Sequence, residues 1–188
     1  MPRQDARERL LRRAIDYIAE RGLSDLSLRE LAAAIGTSHR MLIHHFGSKE
    51  GVWVEVIRAV EADQRAALPD RLPDPTEDLA AAMRAWWRHI SDPSLWPNER
   101  LFFEIYGQAL QGRPGTTRLL DGIVDSWLAP ATQGYVALGV EPEAAQARAR
   151  LAIAVTRGLL LDLLATGERA RVDAAMEQWI ALNELAVR

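Results

Sequence analysis

The stretch from Ser27 to Lys49, SLRELAAAIGTSHRMLIHHFGSK, constrains this chain more than any other. Ser27 followed three residues later by Glu30 forms a capping box. The serine side chain can satisfy one orphan amide of a first helical turn, and the glutamate can reach back to another. Leu28, Leu31, Ala32 and Ile35 then recur at helical spacing. Ala32 is small where a second helix would cross closely. Gly36 falls one residue past the stripe, where a helix end commonly needs a positive φ. Ser38 can cap a second helix whose inward face is Leu42 and Phe46. Gly47-Ser48-Lys49 stops that helix and starts a third, with Ser48 as its cap. Two short helices joined by a glycine turn make a helix-turn-helix pattern.

Charge supports a module that touches phosphate. The 188-residue chain has a net charge of −3, but residues 1–51 hold nine Lys/Arg against seven Asp/Glu, and three histidines besides. The remainder holds fourteen against nineteen, a net of −5. A basic end on an acidic body is the asymmetry expected when one part alone meets nucleic acid. With no cysteine, disulfides and thiolate chemistry are excluded. The richest apolar run, Leu151 to Ala165, is interrupted by Arg157 and Asp162, so no membrane span is expected. The arginine-rich N-terminus has no apolar signal region, and a cytoplasmic protein is the expectation.

The residues LRELAAAIG, the Ser38-led helix with Leu42, and the run His45-Phe46-Gly47-Ser48-Lys49-Glu50 resemble the DNA-binding end of TetR-type transcriptional regulators. The resemblance covers about fifty N-terminal residues and is architectural beyond them. It implies an all-α fold of about nine helices. A helix-turn-helix DNA-binding domain would occupy residues 1–50, and an effector-binding and dimerisation bundle residues 51–188. Helix four, about 49–67, would link them. A recognition helix offers base edges its N-terminal residues, here Thr37, Ser38, His39, Arg40 and Met41. Arg40 stands out because a guanidinium can donate two bonds to guanine O6 and N7. The resemblance adds Arg29 and Lys49 as DNA contacts, Lys49 being the only lysine in the chain and the match to the family's phosphate anchor. Ser27 and His44 complete the expected DNA-facing set. Ile43 and His44 stand where the family usually has tyrosine, and Thr37 where it has an apolar residue. Arg3 and Arg7 can reach phosphate or form a solvated face.

Further along, helical stripes follow one another without any strand pattern. Helix one carries Leu10, Leu11, Ala14, Ile15 and Ile18, with Gly22 as its stop and Leu23 and Leu26 tucked behind it. Helix four carries Val52, Trp53, Val56, Ile57 and Val60. A proline-rich linker, Pro69–Pro75, precedes helix five, expected from Thr76. Helix six opens at Pro97. Helix seven is expected from Thr116 to Leu138, kinked or divided at Pro130. Helix eight, Pro142 to Ala165, is apolar nearly all round. Helix nine shows the stripe Val172, Met176, Trp179, Ile180 and Asn183.

On the resemblance, Met83, Trp86, Trp87, His89, Ile90, Phe103, Tyr106, Trp127 and Arg157 would line a small-molecule pocket, although such aromatics equally make plain core. Leu159 and Leu163, with the helix-nine stripe, are expected to face a second copy in a homodimer. No Gly-x-Gly-x-x-Gly, P-loop, Gly-x-Ser-x-Gly or Glu-x-x-His pattern is present, so no enzyme, catalytic residue or cofactor is expected. Four histidines without cysteine suggest no metal. The expectation is a ligand-responsive, sequence-specific regulator, a repressor on a palindromic operator released by a small lipophilic effector. The alternatives are an activator or effector-independent regulator of the same fold, or an all-helical carrier or enzyme.

Overall fold

The computed structural model describes residues 2–21, 26–67, 74 and 78–187. Nine α-helices occur among them: α1 (Pro2–Arg21), α2 (Leu28–Ala34), α3 (His39–Phe46), α4 (Lys49–Ala66), α5 (Leu79–Ile90), α6 (Trp96–Leu110), α7 (Asp125–Ala137), α8 (Pro142–Thr166) and α9 (Arg169–Val187). Short 3-10 turns, Pro93–Leu95 and Thr117–Leu120, flank α6, and no strand occurs among the described residues. The expectations placed on Gly22, Leu23, Pro69–Pro75, Thr76 and the Arg3 side chain fall outside the described residues.

Two compact units arise. The first joins Met1–Gln64 to Ser94–Asp121, and the second joins Arg65–Pro93 to Gly122–Arg188. In the first, α4 is the hub. Gly51, Val52, Trp53 and Val54 are buried in succession, which a helix can do only with neighbours on more than one side. Leu11, Ala14 and Ile18 of α1, Leu31 and Ala32 of α2, and Leu42 and Phe46 of α3 share this core with Leu101 and Ile105 of α6. Arg7 pairs with Glu55 and Arg12 with Asp63, tying α1 to α4. The second pair is half-exposed on both sides, so it contributes no more than about 1 kcal/mol.

The second unit packs α5, α7, α8 and α9. Leu128 and Tyr135 of α7 meet Ala145 and Ala149 of α8, two alanines that let the helices approach closely. From α9, Val172, Met176 and Ile180 are buried. Polar ties set the register between helices. Tyr135 donates to Asn183 Oδ1 at 2.9 Å, and Trp87 Nε1 donates to Asp173 Oδ1 at 2.7 Å. Arg169 donates to the Ser91 hydroxyl and carbonyl, and Arg84 Nε donates to both carboxylate oxygens of Glu177.

Helix seven differs from expectation. It starts at Asp125 and runs unbroken past Pro130; the break comes before it, where Gly122 takes φ +74 after the 3-10 turn. A helix-interior proline costs about 3 kcal/mol. Leu128 before it and Tyr135 after it are both buried in the same cluster, and that shared burial keeps both halves on one axis.

Candidate nucleic-acid interface

The helix-turn-helix is built by its caps. Glu30 N donates to Ser27 Oγ at 3.2 Å and Ser27 N donates to Glu30 Oε2 at 2.8 Å, closing the capping box at the start of α2. These bonds to Ser27 hold the Glu30 carboxyl below its usual range, with the Lys49 cation adding to the effect. At the other end of α2, Gly36 turns the chain at φ +72, and Arg13 Nη1 donates to the Ile35 carbonyl at 3.2 Å. Ser38 then accepts from Met41 N at 3.2 Å and opens α3. Ser48 does the same for α4, accepting from Gly51 N at 2.9 Å.

With Leu42 and Phe46 buried, α3 turns its first residues outward: Ser38, His39, Arg40 and Met41 are all exposed, and Thr37 is half-buried. Arg29 and His44 are exposed, and Ser27, occupied in its capping box, is half-buried. Lys49 is exposed on the first residue of α4, beside amides that carry the positive end of that helix's dipole. Arg7 has a different job from phosphate contact. Its guanidinium lies 5.1 Å over the Phe46 ring and pairs with Glu55, so it braces α3 against α1 and α4. The His44 and His45 rings meet edge to face at 5.2 Å, and no group of three or more potential metal-ligating side chains occurs among the described residues.

The residues expected to line a small-molecule pocket divide between the two units. Met83, Trp86, Trp87, His89, Ile90, Trp127 and Arg157 belong to the second unit, Phe103 and Tyr106 to the first. In the second unit Trp86 sits 5.3 Å from Trp127 and 5.8 Å from His89, and the Arg65 guanidinium lies 5.2 Å over Trp127. Trp87 and Ile90 are buried core, and Arg157 donates to the Ile123 carbonyl at 3.4 Å. In the first unit Tyr106 stacks on Phe102 at 5.3 Å, and Phe103 meets Phe102 edge to face.

On helix nine, Val172, Met176, Ile180 and Asn183, expected to face a second copy, are buried within their own protomer, and Leu163 of α8 is likewise fully buried. Trp179 and Leu159 are half-buried. The free apolar row on α8 is instead Leu151, Ala154, Gly158, Leu161 and Ala165, all exposed at helical spacing. Leu182 of α9 is exposed as well.

Sequence reasoning passed over a buried polar group in the first unit. Glu61 and Gln64 of α4 and Asn98 and Glu99 of α6 are all at least nine-tenths buried. Its signal was present, since Glu61 continues the inward stripe of Trp53 and Ile57 at four-residue steps.

Residues 10–56 match the family model described as bacterial regulatory proteins, tetR family. No curated protein matches the chain. Among solved structures, a transcriptional regulator from Rhodococcus sp. Rha1 is 24% identical, with 94% of each chain covered and a TM-score of 0.70. A TetR-family regulator from Rhodococcus sp. is 16% identical over 100% of both chains, with a TM-score of 0.72. A regulator from Saccharomonospora viridis in complex with choline is 23% identical, covers 95% of this chain and 94% of its own, and has a TM-score of 0.67. Residues 10–56 therefore match the tetR family of bacterial regulatory proteins, and the chain has the all-helical fold of the solved regulators it resembles.

Proposed function

We propose that this protein is a dimeric, sequence-specific DNA-binding transcriptional regulator, acting in the cytoplasm as a repressor of genes behind a palindromic operator. Residues 1–50 serve as the DNA-binding domain and residues 51–188 as the effector and dimerisation part. The observation that carries this reading is the exposed first turn of α3, with His39, Arg40 and Met41 outward while Leu42 and Phe46 anchor the helix from behind. Arg40 reads a guanine edge. Lys49 and the α4 amides hold a phosphate and set the register. A two-fold dimer presents two such helices to half-sites one helical turn apart, about 34–36 Å. Its surface is the apolar row of α8 from Leu151 to Ala165, with α9 beside it.

Release follows the binding of a small lipophilic effector at the Trp86–Trp127 cluster, whose rings offer apolar faces and whose Arg65 and His89 supply polar groups. The choline held by the Saccharomonospora regulator supports small-molecule binding on this fold. An effector can act only through different affinities for the DNA-competent and released states, and operator must then weaken effector binding by the same factor. No helix of the described residues is long and apolar enough to cross a membrane.

Selection of fragments bound by the full-length protein from its source genome tests the reading. The expected product is an inverted repeat, bound about 10³-fold or more above random DNA. Equal retention of unrelated fragments would overturn it.

A further inference from the structure

We propose, resting on the DNA-binding reading above, that Arg113 in the loop after α6 is a further contact to the DNA backbone, made beside Lys49 and outside residues 1–50. The surface that meets the duplex then extends to a segment 63 residues beyond Glu50 in sequence.

Helices α4 and α6 run antiparallel in the first unit. Gln64 near the end of α4 donates to Glu99 near the start of α6 at 3.1 Å, and Glu50 at the start of α4 accepts from Arg113 Nη2 just past the end of α6 at 3.3 Å. The loop after α6 therefore lies at the end of α4 that begins with Lys49. It sits against that first turn: a Cβ added at Gly115 would stand 3.1 Å from Glu50 Cβ and 3.2 Å from Ser48 Oγ. The loop is also a fixed platform. Gly112 takes φ +73 and closes α6 with a Schellman pair, Gly112 N donating to the Ala109 carbonyl at 3.0 Å and Arg113 N to the Gln108 carbonyl at 3.1 Å. The Arg113 carbonyl accepts from Thr116 N at 3.2 Å and from Thr116 Oγ1 at 2.8 Å, and Thr116 is fully buried. Farther on, Arg118 pairs with Glu55 of α4 at 3.8 Å. The backbone of Arg113 is thus held by main-chain bonds that do not need its side chain.

What this platform presents is a cation in solvent. Residues 110–115 are all exposed. The Arg113 side chain is 55% exposed and meets Glu50 through one nitrogen. Exposed ion pairs of this kind are weak, so the guanidinium can share its five donors between Glu50 and a phosphate. Glu50 is the acidic residue in the first turn of α4. Beside Lys49 its charge opposes phosphate, and Arg113 offsets it. Charge complementarity and continuity with the Lys49 end of α4 select the DNA backbone as the occupant of this edge. Such a contact carries no sequence information; it fixes the orientation of the protein on the duplex.

Titrations of the full-length protein against a mixed-sequence duplex over a range of salt concentrations test this, because phosphate contacts need no operator to be read. Arg113→Ala should lower the slope of log K against log salt by about one unit, as Lys49→Ala does, and Arg113→Lys should keep it. The double variant Lys49→Ala/Arg113→Ala should lose about two units, one for each phosphate. Arg100→Ala is the control. Arg100 is exposed near the start of α6, its guanidinium 5.5 Å over the Trp96 ring, at the other end of α4 from Lys49; its loss should leave the slope unchanged. A slope unchanged in Arg113→Ala, or lowered equally in Arg100→Ala, overturns the contact. So does a double variant that loses no more than Lys49→Ala, since Arg113 would then act only through the placement of Lys49. A wild-type protein without salt-dependent binding to any duplex overturns the DNA-binding reading and this contact with it, a failure distinct from an unchanged Arg113→Ala slope on DNA that wild type binds.

Discussion

Gly51→Ala is a one-methyl change whose effect the structure fixes closely. A Cβ added at Gly51 would lie 2.1 Å from the Phe46 carbonyl oxygen, 3.2 Å from its carbon and 3.3 Å from Ser48 Oγ. The oxygen is backbone and cannot swing aside, so α3 and the start of α4 must separate by about 1.3 Å to restore ordinary contact. Overpacking of this kind costs about 1–3 kcal/mol. The shift also pulls Gly51 N from Ser48 Oγ, now at 2.9 Å, and loss of such a cap costs about 1 kcal/mol. A total of about 2–4 kcal/mol corresponds to a Tm lowered by about 4–16 °C in a chain of this length. Gly134→Ala in α7 is the matched control, because nothing lies within 4 Å of its added Cβ. There the same methyl should stabilise by up to about 1 kcal/mol through helix propensity. Thermal melts of both variants decide the matter. A Gly51→Ala protein melting within 1 °C of wild type would refute the packing argument, and with it the close fixing of Lys49 relative to α3.

The remaining predictions concern DNA, alkali and assembly. Lys49→Ala should weaken binding to all sequences and lower the salt slope by about one unit, whereas Arg40→Ala should cost about 1–3 kcal/mol at one operator position; titrations on specific and random DNA at several salt concentrations separate them. Burial holds the Tyr135 hydroxyl above its usual pKa, against a smaller opposing pull from Arg148. The contribution of Tyr135 is therefore fully present below the ordinary tyrosine value near 10 and is lost as pH rises through the raised one. Tyr135→Phe should flatten that alkaline loss in melts from about one pH unit below to about two above the tyrosine reference value, at a cost of about 1–3 kcal/mol for leaving Asn183 Oδ1 without its donor. Leu161→Arg should weaken self-association by about 2 kcal/mol or more, roughly thirtyfold in Kd, while melting like wild type at low concentration. Ile180→Ala should do the reverse, lowering protomer stability by about 2–5 kcal/mol, since Ile180 is fully buried in one chain; sedimentation and melting together distinguish the pair.

The N-terminal third was legible because its signals are short-range. Ser27 and Glu30, or Ser38 and Met41 N, meet across three residues, and no distant part of the chain is needed to predict the bond. The inward stripes of α1 and α4 followed from period alone. Two things did not. The start of α7 at Asp125 depends on the turn at Gly122 and on packing in which both Leu128 and Tyr135 take part. Propensity around Pro130 says nothing of either. The buried polar group of α4 and α6 joins residues far apart in sequence, Gln64 reaching Glu99 across 35 residues. A single glutamate in an apolar stripe reveals its burial and hides its company.

The faces of α8 and α9 show what periodicity can and cannot decide. A helix apolar all round must be covered on more than one side, and the sequence of α8 says that much. It does not say which side the protomer itself covers. On α9 the most regular stripe, Val172–Met176–Ile180–Asn183, looks like an interface because it is continuous. Its continuity has another cause: it meets the protomer's own helices along its length, and Asn183 is kept polar there because Tyr135 needs its carbonyl. Once that burial is subtracted, the uncovered apolar row is Leu151, Ala154, Gly158, Leu161 and Ala165. Its small residues would let a partner helix approach closely, and two leucines about half exposed give that approach a hydrophobic gain. A dimer built on the proposed row would leave the Tyr135–Asn183 bond untouched, since assembly would then use the face of α8 turned away from the protomer's own core.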